Sequence, residues 1–288
     1  MQMENRLKSA TLLLAIHGSS EDDRPAKVGE SIAESLRKMG VFGEVKAAFH
    51  KHPPSLYDSL TQAAGNPVII IPMLMSTGYF AEKIFPKAFQ LKTSPIQTYP
   101  TQTTSGAKKV IYTHPIGLHP GMENVVIETA KQVVNQHPFP FKLSLSKSSI
   151  ALIGHGTSQH SKSRTSVDLL AEQLASRPDV CQDARAFFIE EEPGIQEIYR
   201  WDTPSKNVVV VPFMLADGPH VAQDIPLALG QTKKELQRRQ NQGNTTWRNP
   251  TERNGKRIWI SPPVGMSPRL PDLLVHYAMK EIEGFLMD

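Results

Sequence analysis

"IALIGHGTSQ", residues 150–159, has a counterpart early in the same chain, "TLLLAIHGSS" at residues 11–20, with His155 falling on His17. The pairing does not stand alone. "VVVVPFMLADGPHVAQDIP" (208–226) matches "VIIIPMLMSTGYFAEKIFP" (68–86), and "IWISPPVGMSPRL" (258–270) matches "VIYTHPIGLHPGM" (110–122). Between the first two blocks, "ARAFFIEEEPGIQEIY" (184–199) faces "VKAAFHKHPPSLYDSL" (45–60). Four blocks recur in one order, at offsets of 138 residues for the histidines and 148 for the last pair. Recurrence in a fixed order marks an internal duplication. It divides the chain into halves at residues 1–138 and 149–288, with the polar, Pro-containing "FPFKLSLSKS" (139–148) as linker.

Within each half the elements alternate. "TLLLAI", "VIIIP", "IALIG" and "VVVVP" are short continuous apolar runs rich in branched residues, the pattern of strands buried on both faces. Between them, "VGESIAESLRKMG" (28–40) and "SVDLLAEQLASRP" (166–178) carry apolar residues at helical spacing and end on Gly or Pro. Strand–helix alternation implies a parallel sheet with helices on both faces and right-handed crossovers. The expected class is α/β: two tandem homologous doubly wound domains with mainly parallel sheets.

Composition narrows the function classes. The chain has 288 residues, 39% hydrophobic and 21% charged, as a globular protein does. Its one cysteine, Cys181, excludes an internal disulfide and any multi-cysteine zinc or iron–sulfur site. Cys181 itself reads as a small core residue rather than a nucleophile. The opening "MQMENRLKSATLLLAIHG" has a short apolar run ending in His-Gly, a first strand and not a signal peptide, and no stretch is long enough for a membrane span. A cytoplasmic protein without membrane or nucleic-acid partners is the expectation. The net charge of +4 is too mild for nucleic acid, and the basic stretch at 232–257 reads as a solvated helix end followed by a long loop. A mild positive bias suits a small polyanionic substrate.

Candidate chemistry gathers on one rim. In an open parallel sheet, ligands bind at the carboxyl ends of the strands, where the strand order reverses. His155 follows the first strand of the second half, and His220 lies in the loop after "VVVVP". Glu190, Glu191 and Glu192 follow the apolar "AFF" of the strand between them. Parallel strands bring two imidazoles and a carboxylate to the same edge. Taken singly, His155 is equally a turn residue, His220 a surface loop residue, and the glutamates a solvated corner. Gly218 reads as a turn glycine with positive φ, and His160 as an exposed residue at a helix start.

"GHGT", "FFIEEEP" and "PFMLADGPHVAQDIP", each after a strand, resemble the class II tetrapyrrole chelatases, specifically the sirohydrochlorin cobalt- and ferrochelatases in a two-domain form. The resemblance spans nearly the whole of both halves. It implies insertion of Co2+ or Fe2+, as substrate metal and with no organic cofactor, into sirohydrochlorin for cobalamin or siroheme biosynthesis. It also implies that His155 and His220 handle the metal with one of Glu190, Glu191 and Glu192, of which Glu191 is taken as the catalytic acid. Imidazole and carboxylate suit divalent Co or Fe, and the lack of thiolates suits a site that must release its metal. Gly154 and Gly156 are expected to let a flat macrocycle approach the backbone, beside Thr157 and Gly218. Lys162 and Arg164, opening the next helix, are candidates for the substrate's carboxylates.

The first half departs from this pattern. His17 is present, but Phe80 stands where His220 does, and "HKHPP", with His50 and His52, replaces the acidic run. His17 with His50 is a secondary candidate pair, and loss of the first-half metal site is the favoured reading. His114 and His119, in Pro/Gly turns, read as structural. Two other functions fit the same residues: a non-catalytic metal or tetrapyrrole carrier, and a phosphate- or nucleotide-binding protein. The second is weakened because "GHGTSQH" lacks the Gly spacing and Lys of phosphate loops. Duplication within one chain allows a monomer, with a homodimer as the other expectation.

Overall fold

The structure, a computed structural model, describes residues 2–156 and 162–285. In chain order the first repeat forms α1 (Gln2–Ser9), β1 (Thr11–Ile16), α2 (Arg24–Met39), β2 (Glu44–Phe49), α3 (Leu56–Thr61), β3 (Val68–Pro72), α4 (Phe85–Ala88), β4 (Thr101–Ser105), β5 (Lys108–Tyr112) and α5 (Met122–Gln136). The second forms β6 (Ser149–Gly154), α6 (Lys162–Ala175), β7 (Asp183–Phe188), β8 (Asn207–Pro212), α7 (Ile225–Ala228), α8 (Lys233–Asn241), β9 (Thr251–Arg253), β10 (Lys256–Ile260) and α9 (Leu270–Phe285). Among the described residues, no helix is long and apolar enough to cross a membrane.

Two five-stranded sheets result, ordered β2-β1-β3-β5-β4 and β7-β6-β8-β10-β9. The expected α/β class holds, and the apolar runs are the inner strands. β1 and β6 each lie between two parallel neighbours and are buried along their full length. Burial on both faces is what selects continuous Leu, Ile and Val, each contributing about 1.5–3 kcal/mol when fully buried. One core packs Leu13, Ile70, Val110 and Tyr112 with Phe85 and Phe89; the other packs Ile153, Phe187, Val210 and Ile258 with Trp201 and Trp247.

Three features went beyond the sequence reading. The edge strands β4 and β9 are antiparallel to β5 and β10, so each sheet ends in a hairpin. The end of the basic stretch, read as loop, is therefore strand β9, closed onto β10 by Asn254 and Gly255, with φ of 50° and 75°. An Asn-Gly pair with both φ positive is the preferred two-residue hairpin turn. Second, Gly218 is not among the positive-φ glycines; the matching Gly78 is, at 135°. Instead, the Gly218 carbonyl accepts from Val221 and Ala222 N–H and starts a helical turn.

Third, contacts divide the chain differently from the sequence repeats. One compact unit is Met1–Met122 with Pro268–Asp288, and the other is Glu123–Ser267. In the first unit α9 packs against α1, α2 and β5. In the second, Glu123 at the start of α5 is paired to Arg177 at 2.8 Å, and the Trp259 indole N–H donates to the His137 carbonyl at 3.3 Å. Each repeat's last helix thus belongs to the unit built on the other repeat's sheet. Helical periodicity shows that a helix has an apolar face, not which of two similar sheets that face covers.

In the first unit His114 lies 4.7 Å from the Tyr99 ring and His119 lies 4.6 Å from the Tyr277 ring. Burial pushes both imidazoles below their ordinary pKa, and for His119 the nearby His276 and Lys280 add to this. A depressed folded-state pKa means that the unfolded chain binds more protons below about pH 6.5, so stability present above that pH is lost as the pH falls. The thermal unfolding midpoint is therefore expected to drop between pH 7 and pH 5. In the His114→Asn/His119→Asn variant that drop should be shallower; an unchanged slope would show that these imidazoles do not contribute.

Candidate metal centre

β6 is paired on one side with β7 and on the other with β8, so the chain reverses direction across the sheet between β6 and β8. The carboxyl ends of these two neighbours open the crevice where ligands bind in doubly wound sheets. His155 is the first residue beyond β6. His220 begins a single π-helical turn, His220–Asp224, that leads directly into α7. Such one-turn π segments recur at functional sites because they redirect a side chain without ending the helix.

The two rings meet edge to face, with centroids 4.6 Å apart and the two Nε2 atoms 3.2 Å apart. The other nitrogen of each ring is already committed. His155 Nδ1 lies 2.8 Å from the Gly156 carbonyl, and His220 Nδ1 lies 2.7 Å from Asp224 Oδ2. A carbonyl and a carboxylate only accept, so both Nδ1 atoms carry a proton, and in the neutral rings both Nε2 atoms present lone pairs. Two lone pairs facing each other at this distance repel unless something positive lies between them. Two nitrogens bound to one divalent ion at about 2.0–2.1 Å, with an angle between square and tetrahedral, stand about 2.9–3.4 Å apart. The observed separation falls within that range.

The carboxylates stand behind the imidazoles. Glu190 Oε2 is 3.7 Å from His155 Nδ1, on the side away from His220. The register delivers it there, because Glu190 N–H donates to the His155 carbonyl. Glu191 is the most enclosed of the three, with its side chain against Gly156 and its Oε2 3.8 Å from Arg164 Nη1. Glu192 turns back to accept from Gly194 N–H at 2.9 Å. Among the described residues no three His, Cys, Asp or Glu side chains converge to enclose an ion. Asp224, which the sequence reading passed over, is the best-placed acid for orienting a ligand. Its signal was present: four residues after His220 is one helical turn.

The expected substrate-binding residues fall differently. Gly154 and Gly156 are buried and face the protein. A Cβ on Gly154 would lie 3.0 Å from Phe188 and Val167, and one on Gly156, where φ is 75°, would lie 3.2 Å from Glu191 and Phe188. Close approach is required here by Phe188, Val167 and Glu191. Arg164 lies with its guanidinium 4.9 Å from the centre of the Phe188 ring, bonded to Asp168 at 2.9 Å and to the Glu192 carbonyl. It ties α6 to the acidic loop. Thr157, His160 and the side chain of Lys162 lie outside the described residues. Cys181 is buried, and burial raises its thiol to about 11, as befits a core residue.

The first unit repeats this frame with other chemistry. His17 Nδ1 lies 2.8 Å from the Gly18 carbonyl, and Lys51 N–H donates to the His17 carbonyl, as Glu190 does to His155. Phe80 opens a matching π-helical turn, Phe80–Ile84, and its ring lies 4.6 Å from that of His17. Position for position, His220 becomes Phe80, Asp224 becomes Ile84 and Glu190 becomes Lys51. The imidazole, the carboxylate bonded to its Nδ1 and the acid behind the other histidine are all replaced. His50 stands near by, its ring 5.9 Å from that of His17. Burial holds both imidazoles below their usual pKa, His50 also by the charge of His17 and both by that of Lys51.

Comparison with known proteins agrees with this duplicated architecture. The CbiX family matches the chain twice, over residues 11–133 and 149–280, and the protein belongs to that family. A probable sirohydrochlorin cobaltochelatase of Halobacterium salinarum is 27% identical over 278 residues, which is 93% of this chain and 90% of that one. A multi-domain protein of Deinococcus radiodurans, described as structurally similar to chelatases, superposes with a TM-score of 0.73 at 22% identity. It covers 93% of this chain, which spans only 54% of that protein's length. The structure of CbiX described as the terminal enzyme of siroheme biosynthesis in denitrifying bacteria superposes with a TM-score of 0.64 at 21% identity, covering 96% of this chain and 98% of its own.

Replacing His220 by Phe converts the second site into the chemistry of the first and is expected to abolish Co2+ binding in a calorimetric titration. Asp224→Ala should keep the ligand but loosen its orientation, weakening Co2+ about 10- to 100-fold. Unaltered affinity in His220→Phe would place the metal elsewhere.

Proposed function

We propose that this protein inserts Co2+ or Fe2+ into sirohydrochlorin or a closely related tetrapyrrole, with the metal held by His155 and His220. The observation that carries the proposal is the pair of Nε2 atoms 3.2 Å apart, with both Nδ1 atoms tied back. The family and the cobaltochelatase relative supply the substrate class.

The chemistry that these residues must perform is an exchange. A divalent ion enters the macrocycle, two pyrrole N–H protons leave, and the ion's bonds to protein must break as those to the macrocycle form. Two imidazole ligands suit such a hand-over, because neutral nitrogen donors hold Co2+ and Fe2+ without the tight grip of thiolates. Both rings are about half exposed, with side-chain exposures of 48% for His155 and 42% for His220, so a flat substrate can approach the ion from the open side. Each imidazole, as it gives up the metal, is free at Nε2 to take one of the two pyrrole protons. Glu190 behind His155 and Asp224 behind His220 balance the positive charge so formed. Glu191, beside Arg164, holds the acidic loop, and Glu192 shapes its turn.

Only the second repeat is proposed to handle metal. Phe80, Ile84 and Lys51 remove the ligand, its orienting carboxylate and the favourable charge from the first. The ligand set accepts both Co2+ and Fe2+, so cellular supply selects between cobalamin and siroheme as the product's destination.

Purified protein mixed with sirohydrochlorin and Co2+ or Fe2+ should change the macrocycle's visible absorbance much faster than the protein-free mixture. His155→Ala and His220→Ala are each expected to lower the rate at least 100-fold, and His17→Ala less than threefold. Tetrapyrrole or metal binding without acceleration would instead make the protein a carrier.

A further inference from the structure

The basic stretch that the metal centre does not use builds a pocket of its own. A cavity of about 320 Å³ in the second unit is lined by four arginines, Arg238, Arg239, Arg248 and Arg253, together with Gln231 and Trp247. The first repeat has no counterpart to its main wall. From Pro72 to Lys108 the first repeat spans 36 positions, whereas from Pro212 to Lys256 the second spans 44, and α8 lies in the longer connection.

The guanidiniums are placed, not scattered. Arg253 Nη1 donates to the Gly230 carbonyl, and a Cβ on Gly230, where φ is 85°, would lie 2.8 Å from that nitrogen. The seat of Arg253 therefore needs glycine. Arg239, which lines the cavity, donates through Nε to the Thr245 carbonyl at 2.7 Å and so anchors the loop after α8. The side chains of Arg238 and Arg248 form no hydrogen bond or ion pair among the described residues, although the charges of Arg238 and Arg253 both act on Glu235.

Two carboxylates also line the cavity, but both are engaged. Glu235 accepts from the Thr232 N–H and hydroxyl, each at 2.8 Å, in the capping box of α8. Glu252 is paired with Arg257 at 3.0 Å. The four guanidiniums outnumber the two carboxylates, so the space is net positive and attracts an anion. A planar carboxylate accepts one or two guanidinium forks, whereas the oxygens of a phosphate accept from several directions at once. Gln231 lines the same wall, and an amide side chain can both accept from and donate to a hydroxyl group on a ligand. The volume is at the lower end of the roughly 300–1,000 Å³ typical of small-molecule sites.

We propose that this pocket binds a small phosphate monoester bearing hydroxyl groups, of the size of a sugar phosphate, separately from the metal centre. The inference does not depend on the function proposed above.

The test is a calorimetric titration of the full chain with ribose 5-phosphate, inorganic phosphate, citrate and a short single-stranded DNA oligonucleotide, at low and moderate salt. Saturable one-to-one binding of ribose 5-phosphate is expected, tighter than inorganic phosphate or citrate and weakened by salt. Arg238→Ala/Arg248→Ala, which removes two side chains that form no hydrogen bond or ion pair among the described residues, should weaken it at least tenfold with little change in the thermal unfolding midpoint. Gln231→Leu should bring the sugar phosphate down to the affinity of inorganic phosphate. Absence of saturable binding, binding insensitive to the arginine pair, or equal binding of citrate would overturn the proposal. Binding of the oligonucleotide alone would also overturn it, in favour of a nucleic-acid surface.

Discussion

The site depends on the parallel pairing of β6 with both β7 and β8. Because β6 is central, the residue after it emerges at a point flanked by the ends of two other strands. Register then does the rest: Gly154 lies beside Phe188 and Ile153 beside Pro212, so the chain beyond each strand reaches the same rim. His155, Glu190 and His220 are far apart in sequence and adjacent in space for that reason alone. A slip of one residue in either pairing would turn each side chain to the other face of the sheet.

Around that frame, the polar atoms are arranged to leave one feature unsatisfied. The Gly156 carbonyl and Asp224 each take an Nδ1 proton, and the two Nε2 atoms are left facing each other. In the neutral rings the two acceptors face each other across 3.2 Å, a gap that a cation would bridge. The first unit shows the same backbone frame relieved of this tension. Phe80 lies edge-on to His17 and Ile84 replaces the carboxylate, so no opposed pair remains. Duplication supplied two copies of one rim, and substitution at three positions separated their chemistry.

Legibility in the sequence followed the range of the interactions involved. The inner strands were plain, since burial on both faces imposes a continuous apolar run that few other structures produce. His155 and His220 could be paired because chain order and strand parallelism suffice to bring them together. The hairpins β4–β5 and β9–β10 were less plain: short edge strands carry polar residues such as Thr101–Ser105, and their pattern resembles a loop. Asp224 was hidden by the expectation that His220 lay in a loop, where an i+4 neighbour has no special place. The packing of Phe188 and Glu191 against the two glycines was not legible, because sequence shows that close approach is tolerated but not what approaches.

By itself, the sequence determined the duplication, the α/β class, the identity of the paired histidines and the asymmetry between the repeats. Those conclusions rest on periodicity and internal comparison, which are local or additive. Tertiary structure decided which helix covers which sheet, which carboxylates back the imidazoles, and that the four arginines of the α8 connection line one cavity. These depend on distances of a few ångströms between residues remote in the chain, and only the packed chain sets such distances.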